Sequence, residues 1–267
     1  MNEPVSNEFD RRILFEDNHL LAIDKPAGLL SQGDVTGDPN VVDLAKDYRK
    51  RYENKPGEAY VGLVHRLDRP VSGVLVLAKT SKAASRLNRD WGTPAVEKLY
   101  RAVVSVAKSA AGQGESDLAG LDGTDWSQRT DLLLKDPATN TVRVVRPGSR
   151  GADAAQSATL EIRRIRSTGD LVELEIRLGT GRGHQIRVQL ASRGLPIVGD
   201  SKYGSKRVYP DETGFPRLAL HAWRLTVPHP TLKKGLQLTA ALPPGWPLGK
   251  DDRIATGFAW CDVHSSQ

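Results

Sequence analysis

The 267-residue chain contains 39% hydrophobic, 26% charged and 6% aromatic residues, a composition that excludes disordered, fibrous and disulfide-dense proteins. No apolar run reaches the roughly 18 to 20 residues of a membrane helix, and the polar, acidic N-terminus does not resemble a signal peptide, so we expect a soluble, cytoplasmic protein. The single cysteine, Cys261, excludes an internal disulfide and a metal site with several thiolate ligands.

The net charge of +6 is unevenly distributed along the chain. Residues 61–107 hold 8 basic and 3 acidic side chains, residues 129–234 hold 19 and 10, and residues 1–60 hold 8 and 12. Because the positive excess lies in segments patterned for folded structure, it favours a surface that binds a polyanion such as nucleic acid. A solvated basic face is the alternative interpretation.

Apolar periodicity predicts many strands and few helices. In chain order, we expect strands at 12–15 and 20–24, a helix at 41–53, strands at 62–64 and 73–78, and a helix from Ser81, capped by its own hydroxyl, to about Trp91. Further strands are expected at 97–106, 131–134, 141–145, 158–165 and 171–178, then a helix at 184–193 and strands at 218–227 and 236–240. This order is typical of the α+β class.

The local composition of the chain predicts where the folded domain begins and ends. Residues 107–128 are rich in Gly, Ser and Asp, which indicates either a mobile insertion or a domain joint. Residues 1–11 are expected to be a flexible N-terminus and residues 249–267 a loose, polar tail, which leaves residues 12–248 as one folded domain.

Two polar segments carry candidate chemistry. Asp68 follows an apolar strand and lies between Arg66 and Arg69, an arrangement that suits an ionised nucleophile or base and equally suits a structural ion pair. The glycine-rich turn 179–183 opens a helix on which His184 and Arg187 are one turn apart and therefore project from the same side.

Three motifs occur together in this chain. They are His65-Arg66-Leu67-Asp68 followed after three residues by Ser72-Gly73, Lys98-Leu99-Tyr100, and Gly181-Arg182-Gly183-His184-Gln185-Ile186-Arg187. In this combination the sequence resembles the RluA-type family of RNA pseudouridine synthases. The resemblance spans roughly residues 12–246 and extends to further stretches at Asp24–Gly28, Pro196–Asp200, Tyr203-Gly204 and Leu220–Ala222.

The resemblance implies a pseudouridine synthase catalytic domain, with a mixed, mainly antiparallel sheet flanked by helices and a central RNA-binding cleft. No S4-type RNA-binding module is expected before residue 12. The reaction breaks the bond between uracil N1 and the ribose, turns the base and joins C1′ to C5, with no cofactor or metal. The partner is RNA, ribosomal or transfer, and we expect a monomer.

Residue roles also follow from the resemblance. Asp68 is the catalytic carboxylate, which either attacks C1′ or removes a ribose proton, and Arg187 pairs with it. Tyr100 lies against the uracil face near the C5 proton, and Ile186 packs against the base or the tyrosine. Arg66 either fills the stack left by the flipped uridine or contacts a phosphate. The other expected substrate-binding residues are His65, Arg69, Arg182 and His184.

The chain departs from the family pattern at two positions, where Gly183 stands in place of a threonine and Gln189 in place of a histidine. Both departures bear on RNA contacts more than on the reaction.

Rival functions lack their own motifs. The sequence has no Gly-rich nucleotide loop or Asp-Phe-Gly for a kinase, no dinucleotide glycine pattern, and no His-Glu-x-x-His for a metal hydrolase. The alternative that stays open is a catalytically silent RNA-binding or assembly protein on the same fold. The joint presence of Asp68, Tyr100 and Arg187 argues against it, because binding alone does not require these three residues.

Overall fold

The protein divides into two compact units. The computed structural model describes residues 5–53, 58–106, 118, 121, 125–210, 214–249, 251 and 254–262. The first unit takes residues 1–97, 222–243 and 251–267, and the second takes 98–221 and 244–250. Most of the glycine-rich segment 107–128 lies outside the described residues, so the choice between an insertion and a domain joint stays open.

The first unit combines three helices with a mainly antiparallel sheet. Its elements are α1 (Val5–Asp10), β1 (Ile13–Glu16), β2 (Leu20–Lys25), α2 (Val41–Glu53), β3 (Gly62–Leu63), β4 (Ser72–Ala78), α3 (Ser81–Asp90), most of β10 (Leu220–Pro228), β11 (Gly235–Thr239) and β12 (Gly257–Cys261). The strand order is β1-β2-β4-β10-β11-β12, with β3 beside β4. The pairs β1–β2, β2–β4, β3–β4, β10–β11 and β11–β12 are antiparallel.

The second unit is a five-stranded antiparallel sheet with one short helix. Its elements are β5 (Glu97–Ser105), β6 (Ser127–Asp136), β7 (Thr141–Val145), β8 (Gln156–Thr168), β9 (Leu171–Leu178) and α4 (Gln185–Ala191), with 3₁₀ helices at Ala152–Ala154 and Ser201–Tyr203. The strand order is β5-β9-β8-β6-β7.

Each unit has its own apolar core. In the first, residues that alternate along β2 and β4 face the buried side of α3, so that Ala22 and Val76 pack with Ala83 and Leu87. In the second, Val188 of α4 packs on Leu133, Val142 and Ala158 of the sheet. Burying apolar surface at about 25 cal/mol per Å² is the main favourable term in both cores.

The expected α+β class is confirmed, and most predicted elements are present. Helix 41–53 and strands 141–145 and 171–178 have the predicted bounds. The cap of α3 differs from the prediction: Thr80 is the N-cap, and its Oγ1 accepts a hydrogen bond from the Ala83 amide at 3.1 Å. The helix predicted at 184–193 is shorter, because His184 has a left-handed φ of 52° and only Gln185 begins the helical turns.

The two ends of the described chain carry structure that the sequence analysis missed. Within the segment expected to be flexible, Val5–Asp10 forms α1, whose buried Phe9 ring lies 6.0 Å from that of Tyr48 on α2. The tail was wrongly expected to be loose throughout, because β12 pairs along its whole length with β11. Its Phe258 ring packs edge-on against Phe15 at 4.9 Å. None of the helices in the described parts of the chain is long and apolar enough to span a membrane.

Candidate active site

Asp68 lies in the loop between β3 and β4. Its carbonyl oxygen accepts a hydrogen bond from the Val71 amide at 3.0 Å, which closes a tight turn. The preceding residue, Leu67, is buried, and both of its main-chain polar groups bind the buried Ser31 hydroxyl: the Leu67 amide donates at 3.1 Å and its carbonyl accepts at 2.8 Å. The backbone that carries Asp68 is therefore fixed on both sides.

A fully buried lysine, Lys25, forms hydrogen bonds that anchor the same loop. The ammonium of Lys25, at the end of β2, donates to the carbonyl oxygens of Pro26 at 2.9 Å, Leu29 at 2.7 Å and Arg69 at 3.2 Å. Burial lowers the pKa of Lys25 to about 7, and the negative charges of Asp68 and Asp24 oppose that shift. Lys25 thus joins the β2 end to the Asp68 loop and places a titrating cation within electrostatic reach of the carboxylate.

The Ser-Gly of the first motif has a steric explanation. Gly73 has a φ of +116°, and a Cβ added there would lie 2.3 Å from the carbonyl oxygen of Ala222 on β10. Since only glycine fits both the dihedral angle and the close approach, this position fixes how β4 leaves the Asp68 loop.

The other residues of the first motif divide into anchors and an exposed side chain. His65 Nε2 accepts a hydrogen bond from the Val76 amide at 2.9 Å, and its ring stacks on Trp91 at 4.4 Å. Arg69 donates from Nε to the Gly28 carbonyl at 3.0 Å and pairs with Asp38 at 2.8 Å. The side chain of Arg66 is exposed. The geometry therefore gives His65 and Arg69 a part in shaping the loop, whereas Arg66 is open to a ligand.

Tyr100 lies on β5 in the second unit. It is half-buried and faces Ile176 of β9 across the antiparallel ladder. Two residues earlier, the buried Lys98 has a pKa lowered by desolvation. The regular pairing of Leu99 to Ser105 with β9 holds the tyrosine at a fixed position.

Arg187 is held within its own unit by a carboxylate and an aromatic ring. Its Nε and Nη2 donate to the two carboxylate oxygens of Asp200 at 2.7 and 2.9 Å, a bidentate pair that is almost fully buried. The guanidinium also lies over the ring of Tyr203, with 5.0 Å between its carbon and the ring centroid. The predicted pair of Arg187 with Asp68 stays a prediction, since Asp68 belongs to the first unit.

The rest of the third motif supports this arrangement. His184 Nδ1 lies 2.7 Å from the Tyr203 hydroxyl, so that His184 and Arg187 contact the same side chain, as their spacing predicts. Ile186 is buried. Arg182 is exposed, and its amide donates at 3.0 Å to the Oε1 of Gln185, which also accepts from the Thr180 hydroxyl at 2.8 Å.

The two departures from the family pattern have different surroundings. Gln189 is buried and donates from Nε2 to Asp131 at 2.6 Å and to the Ala158 carbonyl at 3.3 Å, so it ties α4 to the sheet. Gly183 is exposed, and a Cβ added there would meet nothing within 4 Å.

Sequence reasoning noted Lys25, Asp200 and Tyr203 within family-like stretches but gave them no role. Only the resemblance pointed to these three residues, because a buried contact between residues that are distant in the sequence leaves no periodic pattern in the sequence. Among the described residues, no group of three or more His, Cys, Asp or Glu side chains is arranged to hold a metal ion.

The α+β fold and the three motifs define a pseudouridine synthase catalytic domain. The chain belongs to the RNA pseudouridylate synthase family, whose sequence profile matches residues 19–192, a range that includes Asp68, Tyr100 and Arg187. The family resemblance stated from the sequence is thereby confirmed.

Two bacterial relatives and one solved structure show the extent of the similarity. The chain is 34% identical to a ribosomal large subunit pseudouridine synthase D of Xanthomonas campestris pv. campestris, over 86% of this chain and 66% of the relative. It is 31% identical to the protein of the same name in Zymomonas mobilis, over 91% of this chain and 72% of the relative. The chain thus spans about two thirds of the length of these relatives. The structure of human RNA pseudouridylate synthase domain containing 4 matches with a TM-score of 0.66 at 25% identity, covering 91% of this chain and 92% of the human one.

Proposed function

We propose that this protein isomerises particular uridines in structured RNA to pseudouridine, with Asp68 as the catalytic carboxylate. The observation that carries the proposal is the family match across residues 19–192, supported by relatives named as pseudouridine synthases. Because both relatives are named for the ribosomal large subunit, we further propose large-subunit ribosomal RNA as the substrate, in preference to transfer RNA. A bacterial enzyme of this kind would work in the cytoplasm.

The chemistry needs one anionic group near the ribose and a pocket that retains the detached base. Asp68 either attacks C1′ as the N1 bond breaks or removes a ribose proton to assist that cleavage. The freed uracil turns, and C5 joins C1′ as the bond to Asp68 breaks or the ribose proton returns from Asp68. The C5 proton leaves to a base or to water and N1 gains a proton, so atoms balance without a cofactor. The anchored loop around Asp68 supplies the fixed geometry that such a step requires.

The remaining residues hold the substrate. Tyr100 would lie against the uracil, and Ile186 would pack beside it. A uridine inside structured RNA must leave its stack to reach such a pocket, at a cost on the order of a few kcal/mol. The exposed Arg66 would offset that cost, either by filling the vacated stack or by contacting a phosphate. We propose that the protein acts as a monomer.

The decisive experiment is carbodiimide-based mapping of pseudouridine in total RNA from cells that lack this protein. The cells are complemented with wild type, with Asp68→Asn, or with a control, Asp47→Asn, which changes an exposed carboxylate on α2. We expect one or a few pseudouridine stops to disappear on deletion, and to return with wild type and with the control but not with Asp68→Asn.

Binding measurements on the same variants distinguish the silent RNA-binding alternative. Asp68→Asn should retain RNA affinity within about threefold, because it removes the reactive group and leaves the basic surface intact. An unchanged pseudouridine map together with intact RNA binding would reject the proposed isomerase and favour the silent binder.

A further inference from the structure

Asp200 and Tyr203 form a clamp on Arg187, and neither residue has a role in the function proposed so far. Asp200 directly precedes the 3₁₀ helix Ser201–Tyr203, and Tyr203 is the last residue of that helix, so the two are three positions apart. Because a 3₁₀ helix has three residues per turn, their side chains project from the same side. The Asp200 carboxylate therefore accepts two hydrogen bonds along one edge of the Arg187 guanidinium, while the Tyr203 ring packs against the face of the guanidinium.

The backbone is built to hold this clamp in one place. Gly199 has a φ of +90°, and a Cβ there would lie 2.1 Å from the carbonyl oxygen of Arg217. The Asp200 carbonyl then accepts hydrogen bonds from the Tyr203 amide at 3.1 Å and the Ser205 amide at 2.9 Å. Asp200 itself is only 1% exposed.

The far end of Tyr203 is fixed as well. Its hydroxyl accepts a hydrogen bond from the Val142 amide at 3.0 Å and lies 2.7 Å from His184 Nδ1. The hydroxyl end of the ring that packs against Arg187 is thus attached both to β7 and to the start of α4.

We propose that Asp200 and Tyr203 are positioning residues for the isomerisation: they fix the orientation of the Arg187 guanidinium so that it acts on the reacting carboxylate and base. This inference rests on the proposed function. A guanidinium held by two parallel hydrogen bonds and a ring has little freedom to turn, and its remaining N–H groups point in a defined direction. Without the clamp, the Arg187 side chain would be free to turn, and fixing its orientation in the transition state would add an entropic cost to the reaction.

The test separates binding from chemistry and asks whether the clamp acts through Arg187. Single-turnover rates are measured as tritium release from a transcript that carries 5-tritiated uridine at the mapped site, and RNA dissociation constants by filter binding. The variants are Asp200→Asn, Arg187→Lys and the double variant. Asp170→Asn is the matched control, because Asp170 makes an exposed ion pair with Arg207 in the same unit.

We expect Asp200→Asn to lower the single-turnover rate on the order of 100-fold, as a misplaced catalytic group does, with RNA affinity within about threefold of wild type and the control unchanged. The double variant should be no slower than Arg187→Lys alone, because residues that act as a unit are non-additive. Rate losses that multiply in the double variant, or a fully active Asp200→Asn, would overturn the inference.

Tyr203 provides a second arm in case the loss of the buried Asp200 charge prevents folding. Tyr203→Leu removes the ring and should slow the reaction about tenfold, in line with a cation–π contact. Tyr203→Phe keeps the ring and should stay within about threefold of wild type, and equal rates for the two variants would contradict the clamp. An Arg187→Lys variant as fast as wild type would instead reject the site assignment in the proposed function, and a wild type without tritium release would reject both.

Discussion

Asp24 and Lys25 are the last two residues of β2 and have side chains of opposite charge. Burial raises the pKa of Asp24 to about 6, against the opposing attraction of Arg12 and Lys25. It lowers the pKa of Lys25 to about 7. Each group is thus held where its charged form is disfavoured, which indicates that the loop anchored by Lys25 is retained at a cost in stability.

The Asp24 shift predicts a pH dependence of folding. The folded-state pKa of about 6 exceeds the ordinary aspartate value of 3.8, so between these two pH values the folded state binds the extra proton. The stabilisation from this group is complete below about pH 4 and is lost as the pH rises through about 6. The Asp24→Asn variant lacks this loss and should gain stability relative to wild type over that range.

Urea unfolding at pH values of about 4.5, about 5.5 and about 6.5 would measure this difference, which is at most about 3 kcal/mol for a rise in pKa from 3.8 to about 6. Asp47→Asn serves as the control, because its carboxylate is exposed on α2. A free-energy difference between Asp24→Asn and wild type that stays constant with pH would show that Asp24 does not carry the effect.

At the scale of elements, the β4 strand depends on one glycine. An alanine at Gly73 would meet the Ala222 carbonyl and would also have to adopt a φ of +116°. We expect Gly73→Ala to lower the free energy of unfolding by about 3 kcal/mol, from backbone strain and overpacking combined.

Denaturant titration followed by circular dichroism would check this value. Gly92→Ala is a suitable control, because a Cβ there meets nothing within 4 Å and its φ is not positive. Equal stability of the two variants would mean that β10 moves away from β4 without cost.

Strands and helices were predictable wherever one face of an element is buried. The helical spacing at 41–53 gave the observed bounds because one face of that helix is buried. The alternation at 171–178 also gave the observed bounds, although its charged residues Glu173 and Glu175 are buried as well. The helix start at Gln185 was not predictable, since His184 adopts a left-handed conformation and its ring contacts Tyr203, a residue 19 positions away. Likewise β12 owes its form to pairing with β11, and its five residues were too few to signal a strand against the polar tail around them.

The candidate site was predictable as a set of residues but not as a set of contacts. The motifs pointed to Asp68, Tyr100 and Arg187, and the family match covers all three. The Asp200 carboxylate that holds Arg187 and the Lys25 ammonium beneath the Asp68 loop both act through buried hydrogen bonds. Such partners depend on how loops meet in space, which single-sequence patterns do not encode.

At the scale of the whole molecule, the uneven charge predicts how RNA affinity responds to salt. Residues 129–234 hold 19 basic and 10 acidic side chains, and cations that neutralise phosphates release counterions. If about five phosphates are neutralised, the logarithm of affinity should fall with the logarithm of salt concentration with a slope of roughly −3.5 to −4.5. Filter binding across a salt series measures the slope, and a slope near zero would contradict nucleic-acid binding by this charge.

The same series separates the two roles left open for Arg66. A phosphate contact predicts that Arg66→Ala reduces the slope by about one, whereas a side chain that fills the base stack predicts weaker binding at an unchanged slope. Lys50→Ala is the control, because Lys50 is exposed on α2 in the segment with an acidic excess.

The first unit is assembled from three separate stretches of chain, and this has a consequence during synthesis. β4 needs β10 as its neighbour, and β11 and β12 follow still later, after the whole of 98–221 has been made. On the ribosome, the loop that carries Asp68 is therefore translated early but waits, with one edge of its sheet uncovered, until more than 140 residues further on have emerged. The nascent chain can therefore complete the antiparallel pairing of β5 to β9 before the first unit, which begins earlier, has received β10.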